Sequence, residues 1–188
     1  QEDGKFVYGY YPTFDKELQD YNILRHAGTI WSLISQYRMT GDETMVPAIE
    51  ATIRYLVEGF VEYRDPATAF VVERKSDEIK LGGNAVALLA LLDYMEAFDT
   101  DVYRDLALAL GKGILSLQNP ADGTFYHVLT FPGFGEKEAY RTVYYDGEAT
   151  FALCRLYSVS KLSVWGGEQT WLDAARAGVE HFIAADYV

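Results

Sequence analysis

A single cysteine, Cys154, in a chain of 188 residues rules out an internal disulfide, and its apolar helical surroundings mark it as a core residue. Long hydrophobic runs are missing as well. The longest, Ala85 through Leu92, falls well short of the roughly 20 residues a membrane-spanning helix needs. Basic residues are scarce: 16 Lys and Arg stand against 28 Asp and Glu, and the net charge of −12 repels phosphate backbones and anionic lipid headgroups. Nucleic acid and membrane surfaces are therefore not expected as partners. The three histidines, His26, His127 and His181, show no ligand spacing, so no metal is expected. Phosphate-binding glycine loops, dinucleotide fingerprints and nucleophile elbows are lacking too, which disfavours nucleotide or redox cofactors and serine-hydrolase chemistry. The start at Gln1, with neither a methionine nor a signal-type segment, fits a soluble protein exported after signal removal or simply a chosen boundary; the compartment stays open.

What the chain has in quantity is aromatic surface: 15 Tyr, 10 Phe and 3 Trp. A tyrosine offers a flat apolar face and a hydroxyl, which suits it to line a groove for a sugar; the plainer alternative is tyrosines bridging helix surfaces to water. The most informative pattern is internal repetition. The segments Ala27–Tyr37, Asn84–Tyr94 and Gly147–Tyr157 superimpose without gaps, each a small-residue start, an apolar helix and a closing tyrosine. Their spacing accommodates two helices and an excursion, so the repeat unit is an αα-hairpin.

After each of these inner helices comes a polar turn and a more amphipathic outer helix, expected over about 43–63, 102–117 and 170–184, with Asp42 and Thr100 or Asp101 as N-caps. Between hairpins, Ala69–Arg74 with Glu78–Leu81, and Gly123–Leu129 with Arg141–Tyr145, are β-branched and aromatic and read as short β-hairpins. The expected fold is all-α: one domain over 1–188, with repeats at about 21–83, 84–146 and 147–188 and β-excursions at one end.

Leu24-Arg25-His26-Ala27-Gly28-Thr29 followed by Thr40-Gly41-Asp42, then Leu81-Gly82-Gly83-Asn84-Ala85, Gln118 through Phe125, and Tyr144-Tyr145-Asp146-Gly147-Glu148-Ala149 carry a resemblance of layout. The chain resembles the (α/α) toroids of carbohydrate-active enzymes: the C-terminal helical domain of D-glucuronyl C5-epimerases, sugar 2-epimerases and unsaturated glycoside hydrolases. Such a ring has about six hairpins and this chain supplies three. The resemblance therefore implies an incomplete toroid, completed by more polypeptide, by a second copy in a homo-oligomer, or not at all. It also implies a ligand site in the funnel where the inner helices begin.

Three groups of residues fall at that end. Tyr21, Asn22, Arg25 and His26 open the first inner helix; Arg25 can hold a carboxylate bidentately and His26 can act as acid or base, the alternative being caps and packing. Tyr140, Arg141, Tyr144, Tyr145, Asp146 and Glu148 form the densest polar cluster. Glu148 aligns with Gly28 and Ala85, so a carboxylate stands where its counterparts are small, and crowding there raises its pKa as a general acid requires. Asp146 is its natural partner in a two-carboxylate arrangement, or else a helix cap. His127 with Tyr126 forms the third group, and Asn84, at the start of the second inner helix, joins the substrate-binding candidates.

The leading expectation is an enzyme without a redox cofactor, a glycoside hydrolase or sugar epimerase acting on a saccharide that can carry a carboxylate. Glu148, Asp146, His26 and Tyr145 would be its catalytic residues. Arg25, Tyr21, Asn22, Asn84, His127, Arg141 and Tyr144 would bind substrate. The alternative is a noncatalytic helical-repeat module binding glycan or protein in the same groove. A terpene-cyclase-like toroid, the third reading, lacks the aspartate-rich protonation motif.

Overall fold

The computed structural model describes residues 3–137, 141–162 and 165–185. The three apolar segments that open on small residues form α1 (Ile23–Thr40), α3 (Leu81–Ala97) and α5 (Tyr145–Leu162). The amphipathic segments after them form α2 (Val46–Phe60), α4 (Arg104–Ser116) and α6 (Gln169–Ala184). Inner helices lie side by side, α1 on α3 and α3 on α5, and each outer helix folds back on the inner one before it. The first turns of α3 and α5 adjoin at Gly82, Tyr145 and Glu148, and later turns meet where Arg155 reaches Glu96. The inner helices are thus parallel and begin at one end. Flanked on both sides, α3 is buried without interruption from Leu81 to Met95, as a helix apolar around its whole circumference must be.

The α1–α2 turn forms as its residues dictate. Gly41 takes the left-handed conformation (φ 64°) that closes α1, and Asp42 accepts from the Thr44 N–H at 3.0 Å to open the 3-10 turn leading into α2. Two helix boundaries differ from expectation. α2 ends at Phe60 rather than running to Tyr63, because the next residues become β3 (Val61–Asp65), in which Val61, Glu62 and Tyr63 pair with Val71, Phe70 and Ala69. α4 starts at Arg104, and neither Thr100 nor Asp101 caps it.

The excursions also differ in one respect. β4 (Thr68–Glu73) and β5 (Glu78–Lys80) form the expected hairpin, but the second excursion supplies only β6 (Val128–Thr130), which pairs with β5. Instead of two separate hairpins there is one antiparallel sheet in the order β3-β4-β5-β6, and residues 141–144 turn into α5 without forming a strand. A small hairpin of β1 (Tyr10–Tyr11) and β2 (Lys16–Glu17) precedes α1. The chain is therefore helix-rich with a few short strands rather than strictly all-α. All six residues of β4 are buried, beneath α4, where Gly113 lets Ala69 and Phe70 approach its backbone. No helix of the described residues is long and apolar enough to cross a membrane.

Candidate functional site

The first turn of α5 and the loop carrying His127 build the densest polar site. The Thr142 N–H donates to His127 Nδ1 at 2.7 Å, which leaves the ring proton on Nε2, where it points to Asp146 Oδ2 at 2.9 Å. Arg141 Nη2 donates to the same oxygen at 2.8 Å. Burial alone would push the Asp146 carboxyl up; the His127 hydrogen bond and the Arg141 guanidinium outweigh it and hold the group below the usual carboxylate range. The loop is in turn fixed to α3, since the His127 carbonyl accepts from the Leu81 N–H at 2.9 Å. Tyr145, itself buried, lies with its ring 5.5 Å from the His127 ring, and Tyr144, exposed, meets Tyr145 edge-on at 5.4 Å.

Glu148 has the opposite electrostatics. Its Oε2 is buried and accepts no hydrogen bond from the described residues. It lies against Gly82 on α3, so closely that a β-carbon at position 82 would stand 2.5 Å from it. Burial pushes the carboxyl up to about 7, even though the N-terminal turn of α5 favours a negative charge. Two carboxylates two residues apart are thus driven in opposite directions. They also face different neighbours: Asp146 turns to His127 and Arg141, Glu148 to Gly82, as residues at i and i+2 on a helix must diverge. A two-carboxylate pair across one glycosidic bond does not follow from this geometry.

The Tyr21–His26 group forms a separate place. Asn22 caps α1, its Oδ1 accepting from the Arg25 N–H at 3.0 Å, and Glu73 Oε2 accepts from the Ile23 N–H at 3.0 Å. His26 is buried with both nitrogens engaged: Nε2 donates to the Thr52 carbonyl at 2.9 Å, and Nδ1 accepts from the Tyr21 hydroxyl at 2.6 Å. Burial pushes its pKa down, against the opposing Thr52 hydrogen bond. With no nitrogen free, His26 joins α1 to α2. Arg25 is exposed; Nη1 donates to the Tyr8 hydroxyl at 2.5 Å, with the guanidinium 5.1 Å from the Tyr8 ring centre. These residues line a pocket of about 190 Å³ with Phe6 and Val7.

Asn84 lies apart from both groups, fully buried. Its Oδ1 accepts from the Val71 N–H at 2.7 Å while Nδ2 donates to the carbonyls of Val71 and Lys80 at 3.1 and 2.9 Å. Where β5 ends and α3 begins, this amide continues the ladder along β4, and its hydrogen-bonding capacity is spent on the backbone. Tyr140 falls outside the described residues. Among those residues no cluster of three metal-ligating side chains occurs.

Sequence reasoning overlooked Gly82 and a charged network deeper between the inner helices. There Asp93 accepts from Trp31 Nε1 and Arg155 Nη2, and Arg155 also reaches Glu96 at 2.6 Å. An acid at 93, near the end of a fifteen-residue stretch of buried helix, was the available signal, because a charge in such a place requires a partner.

No protein-family model and no curated protein matches the chain. Several solved structures do. A family 76 glycoside hydrolase (mannosidase) from Bacteroides thetaiotaomicron is 20% identical with a TM-score of 0.66, over 82% of this chain and 42% of that one. An inactive variant of the alpha-1,6-mannanase of Salegentibacter sp. HEL1_6, in complex with alpha-1,6-mannotetrose, is 14% identical with a TM-score of 0.68, over 88% and 48%. Cellobiose 2-epimerase from Spirochaeta thermophila is 18% identical with a TM-score of 0.69, over 85% and 42%. The chain spans less than half the length of each of these structures, and what it shares with them is the fold of part of an (α/α) toroid.

Proposed function

We propose that this chain is part of a carbohydrate-active (α/α) toroid in which Glu148 gives a proton to, or takes one from, a bound saccharide. One observation carries the reading: a carboxylate at the mouth of the parallel inner helices, with a buried oxygen that has no partner among the described residues and a pKa pushed up to about 7, the value an acid–base group needs at neutral pH. Glycoside hydrolases and a sugar epimerase among the structural neighbours support the substrate class. Asp146, kept ionised and anchored by His127 and Arg141, orients the loop at the start of α5 beside Tyr145. Arg25, stacked on Tyr8 at a separate rim position, would meet a carboxylate on an extended acidic saccharide, with Tyr21 and Asn22 holding it in place.

The ring reading rests on the far flank. Between α5 and α6 runs a groove of about 340 Å³ lined by Val143, Thr150, Phe151, Cys154, Val179 and Phe182, with Phe151, Val179 and Val143 exposed. A neighbouring hairpin, from further polypeptide or from a second copy, would cover it as α5 covers α3.

The test is turnover and binding on a panel of neutral and uronic-acid oligosaccharides, comparing wild type with Glu148→Gln and Arg25→Ala. Turnover that Glu148→Gln abolishes while binding persists supports the acid–base role. Binding with no turnover in wild type would leave a noncatalytic glycan-binding module in its place.

A further inference from the structure

We infer that Gly82 is a positioning residue for Glu148: by having no side chain, the first turn of α3 forms, together with the ring of Tyr145, a slot that takes the Glu148 carboxylate and keeps hydrogen-bond donors from its inner oxygen. This rests on the acid–base role proposed for Glu148 and deepens it.

A β-carbon at position 82 would stand 2.5 Å from Glu148 Oε2 and 2.5 Å from both Cδ1 and Cε1 of Tyr145. Neither contact can be tolerated, so the volume a side chain would occupy is already filled by the carboxylate and the tyrosine ring. The ring has little room to retreat, being 7% exposed and packed on His127. The carboxylate is the flexible member, and any side chain at 82 expels it first. The turn around Gly82 is held from both sides. The Leu81 N–H is bound by the His127 carbonyl, and Asn84 is tied to Val71 and Lys80, so α3 cannot shift to make room. Gly83, next to it, faces Ile23 instead, and a β-carbon there would find ordinary contact at 4.0 Å. The two glycines are therefore not equivalent.

Charged and titratable groups lie on the elements packed around the slot. α5 contributes Tyr144, Tyr145 and Asp146, with Asp146 bound to His127 and Arg141 from the preceding loop. β5 contributes Lys80, which pairs with Glu78 at 3.1 Å. The raised pKa of Glu148 has burial as its cause and no charged partner among the described residues, which is what a slot without donors produces.

The experiment is a pH titration of the glutamate side-chain carboxyl carbons by ¹³C NMR, without substrate, with the Glu148 resonance assigned from Glu148→Gln. In wild type the expected Glu148 midpoint is near 7. In Gly82→Ala the expelled carboxylate meets water and its midpoint falls by at least about one pH unit, a tenfold change in the proton affinity of that one group. Gly83→Ala leaves it in place. Should Gly82→Ala fail to fold by its amide spectrum, Tyr145→Leu opens the slot from the other side and lowers the midpoint in the same way. An unchanged Glu148 midpoint in a folded Gly82→Ala, or in Tyr145→Leu where that variant decides, overturns the inference. So does an ordinary carboxyl midpoint in wild type. Because no turnover is read, these outcomes stand apart from those that decide the acid–base role.

Discussion

The indole N–H of Trp31 donates to Asp93 Oδ2 at 2.6 Å, joining α1 to α3 inside the layer of inner helices. From the other side Arg155 of α5 donates to Asp93 Oδ1 at 2.9 Å, so one buried carboxylate holds all three inner helices. Replacing Arg155 by Leu leaves Asp93 with Trp31 and the more distant Arg38, 4.0 Å away, and costs about 2 kcal/mol of folding stability, as removing the main partner of a buried charge does. Asp93→Leu in addition restores part of the loss, because the uncompensated charge is gone while the Trp31 indole N–H is left without its acceptor. Urea unfolding of the single and double variants checks both statements.

Asn84→Ala removes the amide that continues the β4 ladder and leaves the N–H and C=O of Val71 without that partner in the core. We expect a loss of about 2–4 kcal/mol. Asn84→Asp is no remedy, since a carboxylate cannot donate to the carbonyls of Val71 and Lys80. Chemical denaturation is the measurement, and a variant as stable as wild type would contradict the structural role.

Glu148 makes stability depend on pH with a definite sign. Its folded pKa, about 7, lies above the ordinary carboxyl value of 4.5, so between these values the folded chain binds more protons than the unfolded one. The stability from the neutral carboxyl is complete below the unfolded value and lost as pH rises through about 7. Thermal unfolding of wild type from pH 5 to pH 8 should fall relative to Glu148→Gln, which carries no titrating group at that position.

Asp146 has the reverse sign. Its folded pKa is lowered, so its contribution is present above the unfolded carboxyl range and disappears as pH falls through the folded value. Asp146→Asn should therefore lose stability at neutral pH and show a shallower acid-unfolding profile than wild type, read by circular dichroism.

Much of this architecture was legible because the three inner helices repeat one pattern, small residues and then an apolar run, that suits helices packed closely on several sides. The same apolar and β-branched alphabet hid the end of α2. Val61 and Tyr63 continue a helical stripe as plausibly as they start a strand, and the choice was made by Val71 and Ala69, which are distant in sequence. The pairing of β6 with β5 is likewise non-local, so each excursion on its own read as a self-contained hairpin. At the site, Glu148 stood out because its aligned positions carry Gly28 and Ala85. Gly82 did not, since its contribution is an absent side chain, visible only once α5 is packed against it. His26 and Asn84 carry functional groups that read as ligands in one dimension; in three dimensions Asn84 is taken up by the backbone of Val71 and Lys80, and His26 by the Thr52 carbonyl and the Tyr21 hydroxyl.

Three parallel helices that begin at one end also align their peptide dipoles. Each contributes a partial positive charge of about half an elementary unit at its N-terminus. Summed over α1, α3 and α5, these partial charges favour carboxylates at the mouth of the helical layer, where Glu73 accepts from the first turn of α1 and Asp146 and Glu148 stand in the first turn of α5. The aligned dipoles thus lower the cost of gathering acidic side chains at one end of a molecule that is acidic throughout, and dissolved salt would weaken that effect where the groups are exposed.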